Sequence, residues 1–137
     1  MSLVARGQEI NRNRSLMADI CARKYWNRTG LMVTKGKLYS FEANGGWCDG
    51  SNPCNADGWT PDWNKLVLML VEVSKRQSGQ PLFKLIAAVN KNRPYIILGT
   101  KGSFVAPETG ELYCFANDVP GFYGNNSGKL SLKIVPD

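Results

Sequence analysis

Lys129-Leu-Ser-Leu-Lys-Ile-Val135 alternates polar with apolar residues from Lys129 to Ile134. A period of two puts one side of an extended chain against a core and leaves the other in water, so this stretch is a half-buried β-strand. Other short runs share the habit. Gly30–Thr34, Lys37–Ala43, Leu82–Val89, Tyr95–Leu98 and Gly110–Ala116 are each apolar or alternating, and each is bounded by Gly, Pro, Asn or Asp. Lys35-Gly36 reads as a turn, so Gly30–Thr34 and Lys37–Ala43 are expected to pair as a hairpin. Several short strands separated by turns predict an all-β, jelly-roll-like sandwich.

Two stretches break the pattern. Thr60-Pro61-Asp62 reads as a helix start, and Lys75, Arg76 and Gly79 as a helix end, which predicts one short helix around 61–77. Within it Leu66–Val71 is apolar on all sides, a composition that also suits a buried strand. Ser15–Tyr25 is a second helix candidate.

A length of 137 residues fits one domain, with no repeat and no low-complexity linker. Its basic residues are uneven. Arg6, Arg12, Arg14, Arg23, Lys24, Arg28, Lys35 and Lys37 face only Glu9 and Asp19, and so carry the net charge of +6. The reading is therefore a basic segment over 1–24, either part of the same domain or a partly ordered arm, followed by the sandwich over 25–137. Clustered cations suit phosphates, but these are dispersed among Asn, Ser and Gly as on a solvated face, and no nucleic-acid partner is expected. No run is long enough to span a bilayer, and Met1–Ala5 leads directly into Arg6 without a leader's apolar stretch. The expectation is a soluble protein, cytoplasmic or secreted without a visible signal peptide.

The sequence contains no histidine. Ser-His-Asp and Cys-His catalysis, His-ligated zinc and histidine acid–base chemistry are thereby excluded from within the chain. Glu42, Asp49, Asp57, Glu72, Glu108 and Glu111 form no motif that would pair two carboxylates for glycoside hydrolysis, and neither a GxSxG elbow nor a P-loop is present. The protein is expected not to be an enzyme. Cys21, Cys48, Cys54 and Cys114 match no zinc or redox spacing. Cys48 and Cys54 flank a short loop that a disulfide is able to close, and buried free thiols are the alternative.

The informative stretch is Asn117-Asp-Val-Pro-Gly-Phe-Tyr-Gly-Asn-Asn-Ser-Gly128, between two strands. Asn117, Asp118, Asn125 and Asn126 offer side-chain oxygens, and the glycines allow the backbone to turn carbonyls inward. That chemistry suits calcium, a hard cation that takes about six to eight oxygen ligands. The other reading is a long turn whose Asn and Asp side chains cap their own backbone. It is not an EF-hand, because the D-x-[DN]-x-[DN]-G spacing and final Glu are missing.

This loop and the strand after it resemble the calcium loop and last strand of the PA-IL-like galactose-binding lectins of bacteria. Thr29-Gly30-Leu31, Lys35-Gly36-Lys37, Ala43-Asn-Gly-Gly46-Trp47, Leu85-Ile86-Ala87 and Asn90 extend the likeness upstream, over about residues 25–135. The resemblance implies a jelly-roll sandwich in which two neighbouring sugar hydroxyls bind a protein-held calcium. It implies calcium ligands in the Asp118 carboxylate, the Asn125 and Asn126 side chains, the Phe122 carbonyl and a carbonyl from Asp49 or Gly50. Asp118, Asn125 and Asn126, with the amide region of Val119, would face the sugar, and Trp47 and Trp59 are candidates to stack on it or to lie in the core. The expected partner is a carbohydrate, galactose-like or another sugar with vicinal hydroxyls, with a homo-oligomer as a further expectation. Three departures stand out: no histidine beside the site, Phe122 in place of a smaller residue, and a longer stretch over 60–80. An accessory domain that keeps the fold without binding sugar is the alternative function.

Overall fold

The computed structural model describes residues 8–9 and 15–137 and is a sandwich of two mainly antiparallel sheets. Along the chain run β1 (Gln8–Glu9), β2 (Leu16–Cys21), β3 (Asn27–Val33), β4 (Leu38–Asp49), β5 (Asn52–Cys54), β6 (Asp57–Trp59), α1 (Lys65–Ser74), β7 (Leu82–Val89), β8 (Ile96–Ile97), β9 (Lys101–Val105), β10 (Gly110–Ala116) and β11 (Asn126–Pro136). One sheet has the order β1-β3-β10-β7-β6, with β8 also on β7; the other has β2-β11-β4-β5, with β9 also on β4.

Alternation builds the core from both sides. Leu31, Val33, Leu85, Ala87, Val89, Leu112 and Cys114 face Ile20, Tyr39, Phe41, Leu130, Leu132 and Ile134, and all are buried in one cluster. Asn27 ties the layers at one end: its Nδ2 donates to the carbonyls of Cys21 and Cys114, and its Oδ1 accepts from the Cys21 amide. A buried amide with its partners satisfied helps fix the register of the two sheets.

Several expectations are corrected. Residues 30–34 and 37–43 do not form a hairpin. Val33 pairs with Gly110 in one sheet while Leu38 pairs with Val105 in the other, and the Gly36 amide donates to the Ala106 carbonyl. Both runs present an apolar face to the same core from opposite sides, so the chain crosses between layers at Thr34–Lys37. Ser15–Tyr25 is not a helix but contains β2, because Leu16 and Ile20 are buried at alternating spacing and the backbone pairs with β11 from Leu16 to Cys21. The sandwich accordingly begins before residue 25. The rest of the basic segment, residues 1–7 and 10–14, lies outside the described residues. Cys48 and Cys54 are free; Cys48 pairs with Pro53 and Cys54 with Trp47, so the two thiols point to opposite faces of the sheet.

The helix forms within the predicted span, but its cap is Asn64, whose Oδ1 accepts from the Val67 amide at 3.0 Å. That cap settles Leu66–Val71 as helix rather than strand. None of its ten residues is buried. Among the described residues no helix is long and apolar enough to cross a membrane.

Candidate functional site

The long pairing of β4 with β11 decides where the site residues meet. Their register runs from Pro136 opposite Tyr39 to Asn126 opposite Asp49, so the end of β4 and the start of β11 arrive together at one edge of the sandwich. Gly50 continues from β4 in a left-handed conformation (φ 61°), and its amide donates to the Asn125 carbonyl at 3.2 Å. Gly128 allows this close approach on the other side: at φ 87°, a Cβ there would sit 2.9 Å from the Cα of Trp47.

Asp118 follows β10 and is buried. Its Oδ1 accepts from the Val119 amide at 2.7 Å and its Oδ2 from the Asn126 Nδ2 at 3.1 Å. The same Nδ2 donates to the Ala22 carbonyl, whereas the Oδ1 of Asn126 is buried with no hydrogen-bond partner among the described residues. Burial pushes the Asp118 carboxyl up to about 6, with the nearby Asp49 charge adding to the rise. Asp49 is also raised, mainly by burial, while Trp59 Nε1 donates to its Oδ2 at 3.3 Å and the Asn125 side chain bonds to it.

A buried and a half-buried carboxylate, neither ion-paired among the described residues, and an orphaned amide oxygen beside the first form a local excess of acceptors. An unpaired buried acceptor costs about 1–3 kcal/mol, and a hard cation is the kind of group that satisfies such oxygens. The donor set fits calcium in kind: two carboxylates, two amides and nearby main-chain carbonyls. It is leaner in charge than a site built on three acidic or thiol side chains, of which the described residues contain none.

Asp118, Val119, Asn125, Asp49, Gly50 and Trp59 line one cavity of about 570 Å³, with Phe122 on its rim. Asn126 lies just beneath as the partner of Asp118. Trp47 does not join them. It is fully buried, edge-on to Phe83 with ring centres 5.9 Å apart, and its place on the core face of β4 leaves no ring face for a sugar. Asn117 also turns away: it is buried, and its Nδ2 donates to the carbonyls of Gln77, Gln80 and Pro81, which ties the 77–81 turn to the loop.

Two groups at the site carry no signal in sequence. Trp63 and the α1 side chains Val67 and Leu70 also line the cavity, which the spacing of a solvent-side helix would not suggest. Arg76 is buried behind the loop, its guanidinium 3.4 Å from the Phe115 ring centre and 3.6 Å from that of Tyr25.

A family model described as PA-IL-like protein matches residues 22–137 of the chain. Among solved structures, the N-terminal domain of EclA, described as a PllA-like lectin, superimposes with a TM-score of 0.65 at 20% identity, over 88% of this chain and 95% of that one. At that identity the likeness is one of fold. No curated protein sequence matches the chain.

Proposed function

The chain belongs to the PA-IL-like family of lectin-like carbohydrate-binding domains, and from that premise we propose that it is a calcium-dependent sugar-binding protein with no catalytic activity of its own. The observation that carries the proposal is the orphaned Oδ1 of Asn126 beside the buried Asp118. Asp118, Asn125 and Asn126 would hold the ion with side-chain oxygens, and Phe122 with either Asp49 or Gly50 would add main-chain carbonyls. Calcium held there would offer a hard Lewis acid to the oxygens of two vicinal hydroxyls of a galactose-like sugar.

The chain's own residues do the rest. Asp118 and Asn125 accept or donate hydrogen bonds to the same hydroxyls and so distinguish one epimer from another. The Val119 amide region borders the sugar. Trp59 is held in place by Asp49 and offers an apolar face. Because the loops are tied by backbone and side-chain bonds before any ligand arrives, little ordering is left to oppose binding.

The test is calorimetric titration with calcium, then with a panel of simple glycosides in calcium and in chelator. Sugar binding that requires calcium and is lost with Asp118→Ala supports the proposal. Calcium that raises the melting temperature without retention on any glycan points instead to an accessory domain that keeps the ion for stability. Asp118→Ala binding both as the parent does would sink the assignment.

A further inference from the structure

The outer face of the sheet that contains β3, β10, β7 and β8 takes no part in the Asp118 cavity, and its chemistry is different. Leu112 and Cys114 point into the core, so their neighbours Tyr113 and Phe115 on β10 point out of the sandwich. There they meet Trp26, which also packs against Tyr25 and Tyr95, with ring centres 5.3–6.2 Å from its own. None of these rings lines the cavity.

Cations lie along this aromatic strip. The Lys91 ammonium is 5.1 Å from the Tyr113 ring centre and the Arg93 guanidinium 4.3 Å from that of Tyr95, and both residues are exposed. Between them the buried Arg76 guanidinium is 4.6 Å from the Trp26 ring centre, and its Nη2 has no partner among the described residues. Lys91 has a φ of 65°, a left-handed conformation that glycine or asparagine adopts at less cost, so the turn after β7 accepts strain to keep a lysine over Tyr113. Arg93 is steadied by a hydrogen bond from its Nη2 to the Arg76 carbonyl at 3.2 Å.

These cations lack counter-charge. Among the described residues none of Arg76, Lys91 and Arg93 is ion-paired. Glu111 is held by Arg28 at 2.9 Å, and Glu108 accepts from the side-chain amides of Asn90 and Asn92. A ring face fixes a cation in place without cancelling its charge, which a carboxylate would do. Burial also leaves the Arg76 charge poorly screened.

We propose that this face binds a polyanionic glycan, a polysaccharide bearing sulfate or carboxylate groups, at Lys91 and Arg93 and without calcium. The guanidinium fork suits the paired oxygens of such groups, and the ammonium adds a point charge. Single-stranded nucleic acid carries similar charge but binds by stacking its bases on open rings. Here cations occupy a face of Tyr113 and of Tyr95, and Trp26 is hemmed in by four rings, so little ring surface is left for a base. The site is separate from the 117–126 loop and does not depend on what that loop binds.

The experiment is fluorescence anisotropy of a labelled heparin octasaccharide in chelator, over about 50–200 mM salt. Binding is expected, with its logarithm falling linearly as the logarithm of salt rises. Lys91→Gln combined with Arg93→Gln should weaken it several-fold and flatten that slope by about two, about one for each cation removed. Lys24→Gln, at an exposed position next to Tyr25, should flatten it by about one and gives the same reading if the double variant folds poorly. Lys101→Gln combined with Lys133→Gln removes as much charge from exposed positions on the other sheet and should leave the slope unchanged. Absence of binding at the lowest salt overturns the proposal, and so does an equal loss in the Lys101 and Lys133 variant, which would show that net charge alone is at work. A single-stranded oligothymidine of matching charge that binds more tightly than heparin also overturns it and assigns the face to nucleic acid.

Discussion

The Arg76 guanidinium donates to the Tyr123 hydroxyl at 2.9 Å, and that hydroxyl in turn donates to the Ala116 carbonyl at 2.6 Å. The backbone amide of Arg76 donates to the Asp118 carbonyl at 3.1 Å. One residue from the turn after α1 therefore grips both the start and the far side of the 117–126 loop. Among the described residues the cation has no carboxylate partner and is instead enclosed by the rings of Tyr25, Trp26, Phe115 and Tyr123. Stacking a desolvated guanidinium on aromatic faces is worth about 2 kcal/mol or more, which offsets part of its burial.

Tyr123→Phe keeps the ring and removes the hydroxyl that joins Arg76 to Ala116. It leaves a buried charged donor and a buried carbonyl short of a partner, for which a loss of about 1–3 kcal/mol is expected. Thermal melts should show a drop of several degrees, and calcium affinity measured well below the melting range should fall as well. A variant that melts with the parent would show that the Arg76 contact contributes nothing to the loop.

The burial of Asp118 has a pH signature. Its carboxyl titrates at about 6 in the folded chain against an ordinary 3.8, so between those values the folded state holds a proton that the unfolded state has lost. The resulting stabilisation is complete below the ordinary value and disappears as pH rises through about 6. In chelator, Asp118→Asn should therefore gain stability relative to the parent as the pH moves from 4 to 7. Calcium affinity of the parent should strengthen over the same interval, because the ion and the proton compete. A stability difference that stays flat with pH would contradict this.

Gly128 sits at φ 87°, where a Cβ would meet the Cα of Trp47 at 2.9 Å and the Gly46 carbonyl oxygen at 3.1 Å. Both atoms are backbone and have no room to yield. Gly128→Ala should cost about 1–3 kcal/mol in strain and disturb the β4–β11 register that delivers Asp49 to Asn126. Gly36→Ala makes the control: it has a similar φ of 83° but no atom of the described residues within 4 Å of the added Cβ, and its loss should be smaller by chemical denaturation.

Asn64 caps a helix that has no fully buried residue and meets the core through the half-buried Val71. Asn64→Ala should lower stability by about 1 kcal/mol and fray the wall formed by Val67 and Leu70. Hydrogen exchange over 65–74 is expected to quicken, with exchange in β10 and β11 unchanged. Equal protection of α1 in both proteins would mean that packing, not the cap, maintains it.

What was legible in the sequence is what depends on neighbours along the chain. The alternation of 129–135 placed Leu130, Leu132 and Ile134 in the core, where all three are buried. The density of Asn, Asp and Gly over 117–128 marked the loop that gathers Asp118, Asn125 and Asn126. The helix between 61 and 77 was visible too, though not its cap.

Partners distant along the chain were another matter. A period of two says which face of a strand is buried but not which strand lies beside it, so Gly30–Thr34 and Lys37–Ala43 read as a hairpin although they belong to opposite sheets. The same ambiguity left Trp47 open to either the core or the sugar; its place opposite Phe83 settled it as core. Local chemistry thus determined the strands and the oxygen-rich loop. Only the tertiary structure decided that Asp49 meets Asn126, that Arg76 lies buried behind the loop, and that an uncovered helix walls the cavity, because each is a contact between segments that no local pattern encodes.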